Sequence, residues 1–169
     1  MKPVKLLMIS GAAINVEVNG MTPLLVAAEY GCLYMVEHLI SLRELVTKQE
    51  RIDALELLGA SLVYRRRHQD MQGALKLWKR AMEERYEDGA LVIPKVIDKS
   101  PISTYINMQE LESVTQLEQI ISDQDSMQMQ ALLVRERILG PANPYTTKRV
   151  WFIGGWYKKI GNFMKPNEF

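Results

Sequence analysis

The sequence predicts an all-α fold, built as a solenoid of short helical repeats. Three features favour this fold class. Apolar residues follow helical spacing in several successive segments. Threonine, proline and glycine stand where the first of these helices would begin and end. A block near the start also matches itself at a step of about 33 residues, which is a known repeat period. Helical units this short bury their apolar faces only by stacking on neighbours.

The composition indicates a folded protein without a strongly charged partner. Of the 169 residues, 47% are hydrophobic and 24% are charged, and the formal net charge is +1. This balance gives no reason to expect nucleic acid as a partner. No apolar run reaches the ~18 residues of a membrane span, so we expect no insertion into a membrane. Cys32 is the single cysteine, which excludes an internal disulfide and fits the reducing cytoplasm or the nucleus.

The first helix of a two-helix unit is predicted within "NGMTPLLVAAEYG", residues 19–31. The hydroxyl of Thr22 can cap its N-terminus, and Pro23 then occupies the first helical position, where a missing N–H costs nothing. Gly31 can adopt the left-handed conformation that ends a helix. A second short helix fits residues 33–40, with an alanine-rich contact between the two.

A partial copy of this unit precedes it. When residues 39–40 are shifted back by one period, they fall on the leucine pair at 6–7. "VKLLMISGAAINVEV" therefore predicts the second helix and tail of a preceding unit, with Gly11 closing that helix. The combined pattern GxTPLxxAAxxG resembles an ankyrin repeat and places partial ankyrin repeats in residues 1–46. One departure is Leu25, where ankyrin repeats usually carry a histidine.

A tetratricopeptide-like helix pair is predicted in residues 47–88. Apolar spacing favours one helix from Thr47 to Tyr64 and another from Met71 to Arg85. The small and apolar residues of the tetratricopeptide pattern are Leu55, Leu58, Gly59 and Leu62 in the first helix and Ala74, Trp78 and Ala81 in the second. We expect Trp78 in the core and the basic run Arg65, Arg66 and Arg67 in a solvated turn at the helix end.

A loop is predicted in residues 89–106, because two prolines and a glycine break the helical periodicity there. Further helices are expected in residues 107–169. Their predicted bounds are Met108 to Ile121, Met127 to Leu139 and Thr146 to Ile160. Asp125 or Ser126 would cap the second of them, and Gly140 before Pro141 would end it. The segment "GGWYKKIGNF" resembles the start of another tetratricopeptide-like unit, which stays incomplete.

The order of motifs along the chain is similar to that of one family. After the ankyrin block come "ERIDALELLGAS", "GALKLWKRAMEERY", "MQMQALLVRERILGPANP" and "GNF". From Gly20 to Phe163 the chain thus resembles the feminization-protein (Fem) family. The resemblance implies a substrate receptor of a cullin-RING ubiquitin ligase, which holds target proteins, often by their C-terminal tails. It also implies elongin and cullin subunits as partners of a longer form, since this chain looks like a truncated or fragmentary member.

Protein binding is the function that repeats of this type usually have, through exposed turns and the inner helix face. In the ankyrin unit these positions are Glu17, Val18 and Asn19 on the turn, with Val26, Glu29 and Tyr30 on the inner helix. Tyr30 is the strongest candidate, because an amphipathic ring suits an interface. No residue of the family's tail-reading pocket can be placed on this sequence.

Candidate residues for other chemistry are few. We expect Cys32 to fill space between helices, His38 to lie on the solvent side of its helix and His68 to lie in a solvated loop. These residues supply neither a metal site nor a Cys–His pair, and no phosphate-binding loop is present, so no cofactor and no enzyme activity are expected. The aromatic residues of "KRVWFIGGWYKKIGNFMK" are expected to pack the last helix rather than stack on bases.

Two hypotheses follow for function. The first is a non-enzymatic protein-binding module that resembles the target-recognition component of a cullin-RING ligase and acts in protein ubiquitination. The second is a shortened interaction or scaffold protein that binds targets without recruiting a ligase. Co-purification of elongin and cullin subunits with the chain would favour the first hypothesis over the second.

Overall fold

The computed structural model describes residues 20–65, 68–86, 92–96 and 109–159. Within these residues the chain is helical and contains no strand, which confirms the predicted all-α class. The helices are α1 Pro23–Glu29, α2 Leu33–Ile40, α3 Lys48–Val63, α4 Met71–Tyr86, α5 Val114–Ile120, α6 Gln124–Leu139 and α7 Pro144–Lys159. None of the described helices is both long enough and apolar enough to span a membrane.

The ankyrin-like helices α1 and α2 have the predicted bounds. The Thr22 side chain accepts a hydrogen bond from the backbone N–H of Leu25 at 3.3 Å, and Pro23 follows at the first helical position. Gly31 has a φ of 68°, in the left-handed region that favours glycine, and α2 begins two residues later. Residues 1–19, with the predicted earlier unit and Gly11, lie outside the described residues.

Helix α3 forms the centre of the molecule, and its predicted start is confirmed. Thr47 and Glu50 form a capping box, in which the Glu50 N–H donates to the Thr47 hydroxyl at 3.2 Å and the Thr47 N–H donates to the Glu50 carboxylate at 2.8 Å. The helix packs against α1, α4 and α6. Because neighbouring helices cover most of its sides, most of its residues are buried in the core.

The close approach of α3 and α4 depends on a glycine and a tryptophan. A Cβ atom on Gly59 would lie 2.5 Å from Nε1 of Trp78, so only glycine fits there. Trp78 is buried, as predicted, and its indole N–H donates to the Glu56 carbonyl at 3.0 Å. The other positions of the predicted pattern are buried as well: Leu55, Leu58, Leu62, Ala74 and Ala81.

Helix α5 begins at Val114, six residues later than the predicted Met108. Ser113 forms a capping box with Gln116, and this box sets the helix start. Gln109 and Glu110 precede it as non-helical chain. The side-chain amide of Gln130 in α6 donates to the Gln109 carbonyl at 2.8 Å. The predicted start was wrong because apolar residues with helical spacing also occur upstream of Ser113, the residue that caps the helix.

The starts of α6 and α7 also differ from the predicted ones. Asp123 caps α6, in place of the predicted Asp125 or Ser126, by accepting the Asp125 N–H at 3.1 Å. Helix α6 ends at Gly140 as predicted, with a φ of 85°. Helix α7 begins at Pro144 rather than Thr146. Of the predicted loop, residues 92–96 are described and are non-helical.

Candidate protein-binding surface

Three large exposed side chains lie where α1 meets α2: Tyr30 ends α1, and Leu33 and Tyr34 are the first two residues of α2. Tyr30 and Tyr34 are each 66% exposed, and Leu33 is exposed between them. We call these three residues the aromatic corner. The ring of Tyr30 meets the ring of Tyr145 edge-on, with centroids 6.1 Å apart, and the two hydroxyl groups are 3.3 Å apart. Tyr30 is therefore exposed while its ring contacts α7.

The local backbone and one arginine side chain set the position of the corner. Tyr30 ends α1, and Gly31 turns the chain toward α2. The guanidinium group of Arg65 donates to the Gly31 carbonyl at 2.8 Å and lies 3.3 Å from the position of a Cβ on Gly31. Arg65 is exposed overall, as its predicted place in a solvated turn requires, whereas Arg66 and Arg67 lie outside the described residues.

The six predicted binding residues have different environments. Tyr30 is exposed, in keeping with a contact role, and Val26 is half-buried. The prediction that Glu29 is exposed is wrong, because Glu29 is buried. Glu17, Val18 and Asn19 lie outside the described residues. Only the Tyr30 end of the predicted surface is thus available on the described face, and Leu33 and Tyr34 extend it.

Glu29 is buried because it pairs with a fully buried arginine of α6. The guanidinium group of Arg135 lies 2.8 Å and 2.9 Å from the Glu29 carboxylate through two nitrogens, and it donates to the Ser61 hydroxyl at 3.2 Å. Arg135 also lies over the ring of Tyr64, 5.3 Å from its centroid, and Arg149 lies over the same ring at 4.9 Å. These contacts join α1, α3, α6 and α7.

Two further predictions on single residues are wrong. Cys32 is exposed, because it precedes the first turn of α2 and does not lie between the helices. Trp151 and Phe152 are both exposed on α7, so the expected packing role does not apply to them. His68 is exposed, as predicted, and His38 is half-buried. Among the described residues, no group of three His, Cys, Asp or Glu side chains could hold a metal ion.

A buried group of charged side chains was missed at the sequence level. We call it the charge cluster, and it contains Asp53, Glu56, Arg85, Lys95, Glu110 and Arg137. Glu56 is central, with Arg85 at 2.9 Å and Arg137 also hydrogen-bonded to it. Glu110 accepts from Arg137 at 2.8 Å. No local motif predicts the cluster, since its members come from α3, α4, α6 and two non-helical segments.

Electrostatics within the charge cluster shift three pKa values. Burial raises the pKa of Glu56, but the charges of Arg137, Lys95 and Arg85 outweigh burial and lower it overall. Burial disfavours the charged form of Arg137, yet Glu56 and Glu110 raise its pKa overall. Burial raises the pKa of Asp53, and the hydrogen bond from Gln49 and the charge of Arg137, 3.6 Å away, offset this only in part. Glu56 and Arg137 are therefore an oppositely charged pair at neutral pH.

Comparison with known proteins supports the resemblance. The chain is 46% identical over 153 residues to Protein fem-1 homolog CG6966 of Drosophila melanogaster, covering 90% of this chain and 22% of that protein. It is 43% identical over 161 residues to human Protein fem-1 homolog C, covering 95% of this chain and 26% of that protein. It is also 43% identical over 145 residues to zebrafish (Danio rerio) Protein fem-1 homolog A, covering 85% of this chain and 23% of that protein.

The extent of these matches defines what they establish. No protein-family model matches the chain. The chain spans about a quarter of the length of the curated relatives it matches. The aligned region includes nearly the whole of this chain, both the ankyrin-like unit and the later helices. The chain therefore belongs to the Fem-1 family.

Proposed function

We propose that this chain is a non-enzymatic protein-binding repeat module and that it acts in protein ubiquitination as part of the target-recognition component of a cullin-RING ligase. Its target would be a protein or the C-terminal tail of a protein. Elongin and cullin subunits would be the further partners of a longer form. The site of action would be the cytoplasm or the nucleus.

The observation that carries the binding role is the aromatic corner. Exposed tyrosines are among the side chains that most often dominate an interface, because they bury a large area and lose little conformational entropy. Tyr30 is already held by Tyr145, so little additional ordering is needed when a partner binds. The charged groups of the described core are, by contrast, engaged with one another and serve the fold.

A capture experiment tests this role. The tagged chain is used to isolate proteins from cells, and the same is done with Tyr34→Ala and with Tyr86→Ala. Tyr86 is an exposed tyrosine at the end of α4 and is the matched control. We expect Tyr34→Ala to lower the affinity for a captured target by about tenfold or more, and Tyr86→Ala to leave it unchanged. Equal losses in both variants, or none in either, would contradict binding at the corner.

The ligase role is tested separately from target binding. Co-purification of elongin and cullin subunits with a longer form, together with ubiquitination of the captured target, would support it. A target that binds through the aromatic corner without these subunits would instead support the alternative, an interaction protein that recruits no ligase. The two readouts therefore distinguish the binding role from the ubiquitination role.

A further inference from the structure

Tyr30 and Tyr145 form the one contact between tyrosine rings among the described side chains. The ring of Tyr30 meets that of Tyr145 at an interplanar angle of 77°, with the centroids 6.1 Å apart. The two hydroxyl oxygens are 3.3 Å apart, although the residues are separated by 115 positions in sequence. In each ring the ortho carbons are bonded to the carbon that carries the hydroxyl group. The fold therefore brings the reactive edges of two distant phenols together.

Both phenols of this pair can be reached from solvent. Tyr30 is largely exposed and Tyr145 is half-buried. The other described tyrosine side chains lack this arrangement. Tyr64 is buried, with guanidinium groups over its ring. Tyr34 and Tyr86 are exposed but make no ring contact with another described aromatic side chain. A reagent that oxidises tyrosine thus meets one accessible pair on the described part of the chain.

Two phenols held in this way can be joined by oxidation. Removal of one electron and one proton from each hydroxyl group gives two phenoxyl radicals, whose unpaired electrons are shared with the ortho carbons. Exposed side chains reorient within nanoseconds, so the edge-on rings can tilt until two ortho carbons meet. One carbon–carbon bond forms, and the two ortho hydrogens move to the oxygens, which restores both phenols. The pair loses two hydrogen atoms in total, and one hydrogen peroxide accepts them and becomes two waters.

We propose that Tyr30 and Tyr145 are an oxidative modification site, at which a haem peroxidase acting with hydrogen peroxide joins the two rings as dityrosine. Coupling within one chain is favoured over coupling between chains, because the fold holds the two rings at a high effective concentration. The product ties the end of α1 to the start of α7 by a covalent bond. The inference does not depend on the proposed function, since it needs no partner protein.

Treatment of the full chain with a haem peroxidase and hydrogen peroxide, at low protein concentration, tests the site. We expect a monomer that has lost two hydrogen atoms by intact-mass measurement, shows dityrosine fluorescence and yields a linked peptide pair containing Tyr30 and Tyr145. Tyr145→Phe keeps the ring but lacks the hydroxyl group that is oxidised, so it should give at least about tenfold less of this product. Tyr86→Phe is the matched control and should give as much product as the wild type.

The same treatment in concentrated urea separates proximity in the fold from the intrinsic reactivity of each tyrosine. In the unfolded chain the two residues are held together only by a long loop, so the yield of their link should fall. An equal yield of that link in urea and in buffer would contradict the proposal. So would a folded chain in which Tyr34 or Tyr86 couples as often as Tyr30, or one that gives only covalent dimers.

The linked chain should also resist heat better. The new bond closes a loop of 115 positions and, like a disulfide, lowers the entropy of the unfolded chain. The reference is Tyr145→Phe treated in the same way, which corrects for oxidation of other residues such as methionine. We expect the purified linked monomer to melt roughly 10 °C or more above this reference. A linked monomer that melts no higher would show that the bond distorts the fold, and would overturn the proposal that the folded pair is placed for coupling.

Discussion

At the scale of single residues, the least predictable feature is which charges are buried. Glu29 stands on the helix face that the ankyrin pattern assigns to solvent, but its partner Arg135 is 106 positions away in sequence. A buried carboxylate requires such a partner, and no local pattern indicates it. The environment of Trp78, in contrast, was predicted correctly, since its burial follows from the helical spacing on its own helix.

The Glu29–Arg135 pair should therefore dominate the effects of substitutions at either position. Arg135→Met leaves Glu29 as an unpaired buried charge, and we expect it to lower the free energy of unfolding by about 3–5 kcal/mol. The double variant Glu29→Leu with Arg135→Met should recover part of that loss, because no isolated charge remains. Urea denaturation measures both. The control is Arg80→Ala, which removes an exposed pair with Glu37 and should cost less than about 1 kcal/mol.

The lowered pKa of Glu56 predicts how stability depends on pH. Its folded-state pKa lies below the ordinary value of 4.5, so folding favours the ionised form. The resulting stabilisation is complete at pH values above 4.5 and is lost as the pH falls through the lower folded-state pKa. We expect unfolding free energies measured from pH 7 to pH 3 to fall less steeply in Glu56→Gln than in the wild type. A steeper fall in Glu56→Gln than in the wild type would contradict a lowered folded-state pKa of Glu56.

At the scale of helices, the starts that were predicted correctly are those whose cap lies directly before the apolar pattern. Thr47 and the box it forms with Glu50 are an example. The predicted start of α5 lies too far upstream. Apolar residues before Ser113 favoured an earlier start, although Ser113 and Gln116 form the capping box that begins the helix. For α6, three closely spaced residues that can cap a helix, Asp123, Asp125 and Ser126, cannot be distinguished by sequence alone.

We expect substitution by alanine to have opposite effects at two helical glycines. In Gly59→Ala the new methyl group would meet the Trp78 ring at 2.5 Å, and we expect a loss of about 1–3 kcal/mol from overpacking. A methyl group added at Gly154 in α7 would have no atom of the described residues within 4 Å, so Gly154→Ala should stabilise by about 0.5–1 kcal/mol through helix propensity. Thermal unfolding of both variants measures the difference. Similar effects from the two would show that α3 and α4 can separate at Gly59.

At the scale of the whole molecule, several contacts join the ankyrin-like unit to the later helices. Helix α1 packs on α3, Glu29 pairs with Arg135 on α6, and Tyr30 meets Tyr145 on α7. The sequence predicted the helices on both sides but not how they join, because repeat patterns describe contacts between neighbours in sequence. The ion pair and the ring contact have no period of their own, so a repeat pattern does not predict them.

If these contacts hold the ankyrin-like unit in place, removing one on α7 should loosen α1. Tyr145→Ala deletes the ring that meets Tyr30, a contact of the kind that contributes about 0.5–1.5 kcal/mol beyond the buried area. We therefore expect amide hydrogen exchange in α1 and α2 to become about two- to tenfold faster, since local opening reports local stability. Exchange in the centre of α3 should change little, because its core contacts remain.

Hydrogen exchange followed by mass spectrometry, with peptides that cover residues 23–40, measures this effect. Tyr86→Ala is again the control, as it removes an exposed tyrosine that has no aromatic partner among the described residues. Faster exchange confined to α7 in Tyr145→Ala would mean that α3 and α6 alone hold the ankyrin-like unit. In that case the aromatic corner would be held in position by the hydrogen bond of Arg65 to Gly31 rather than by α7.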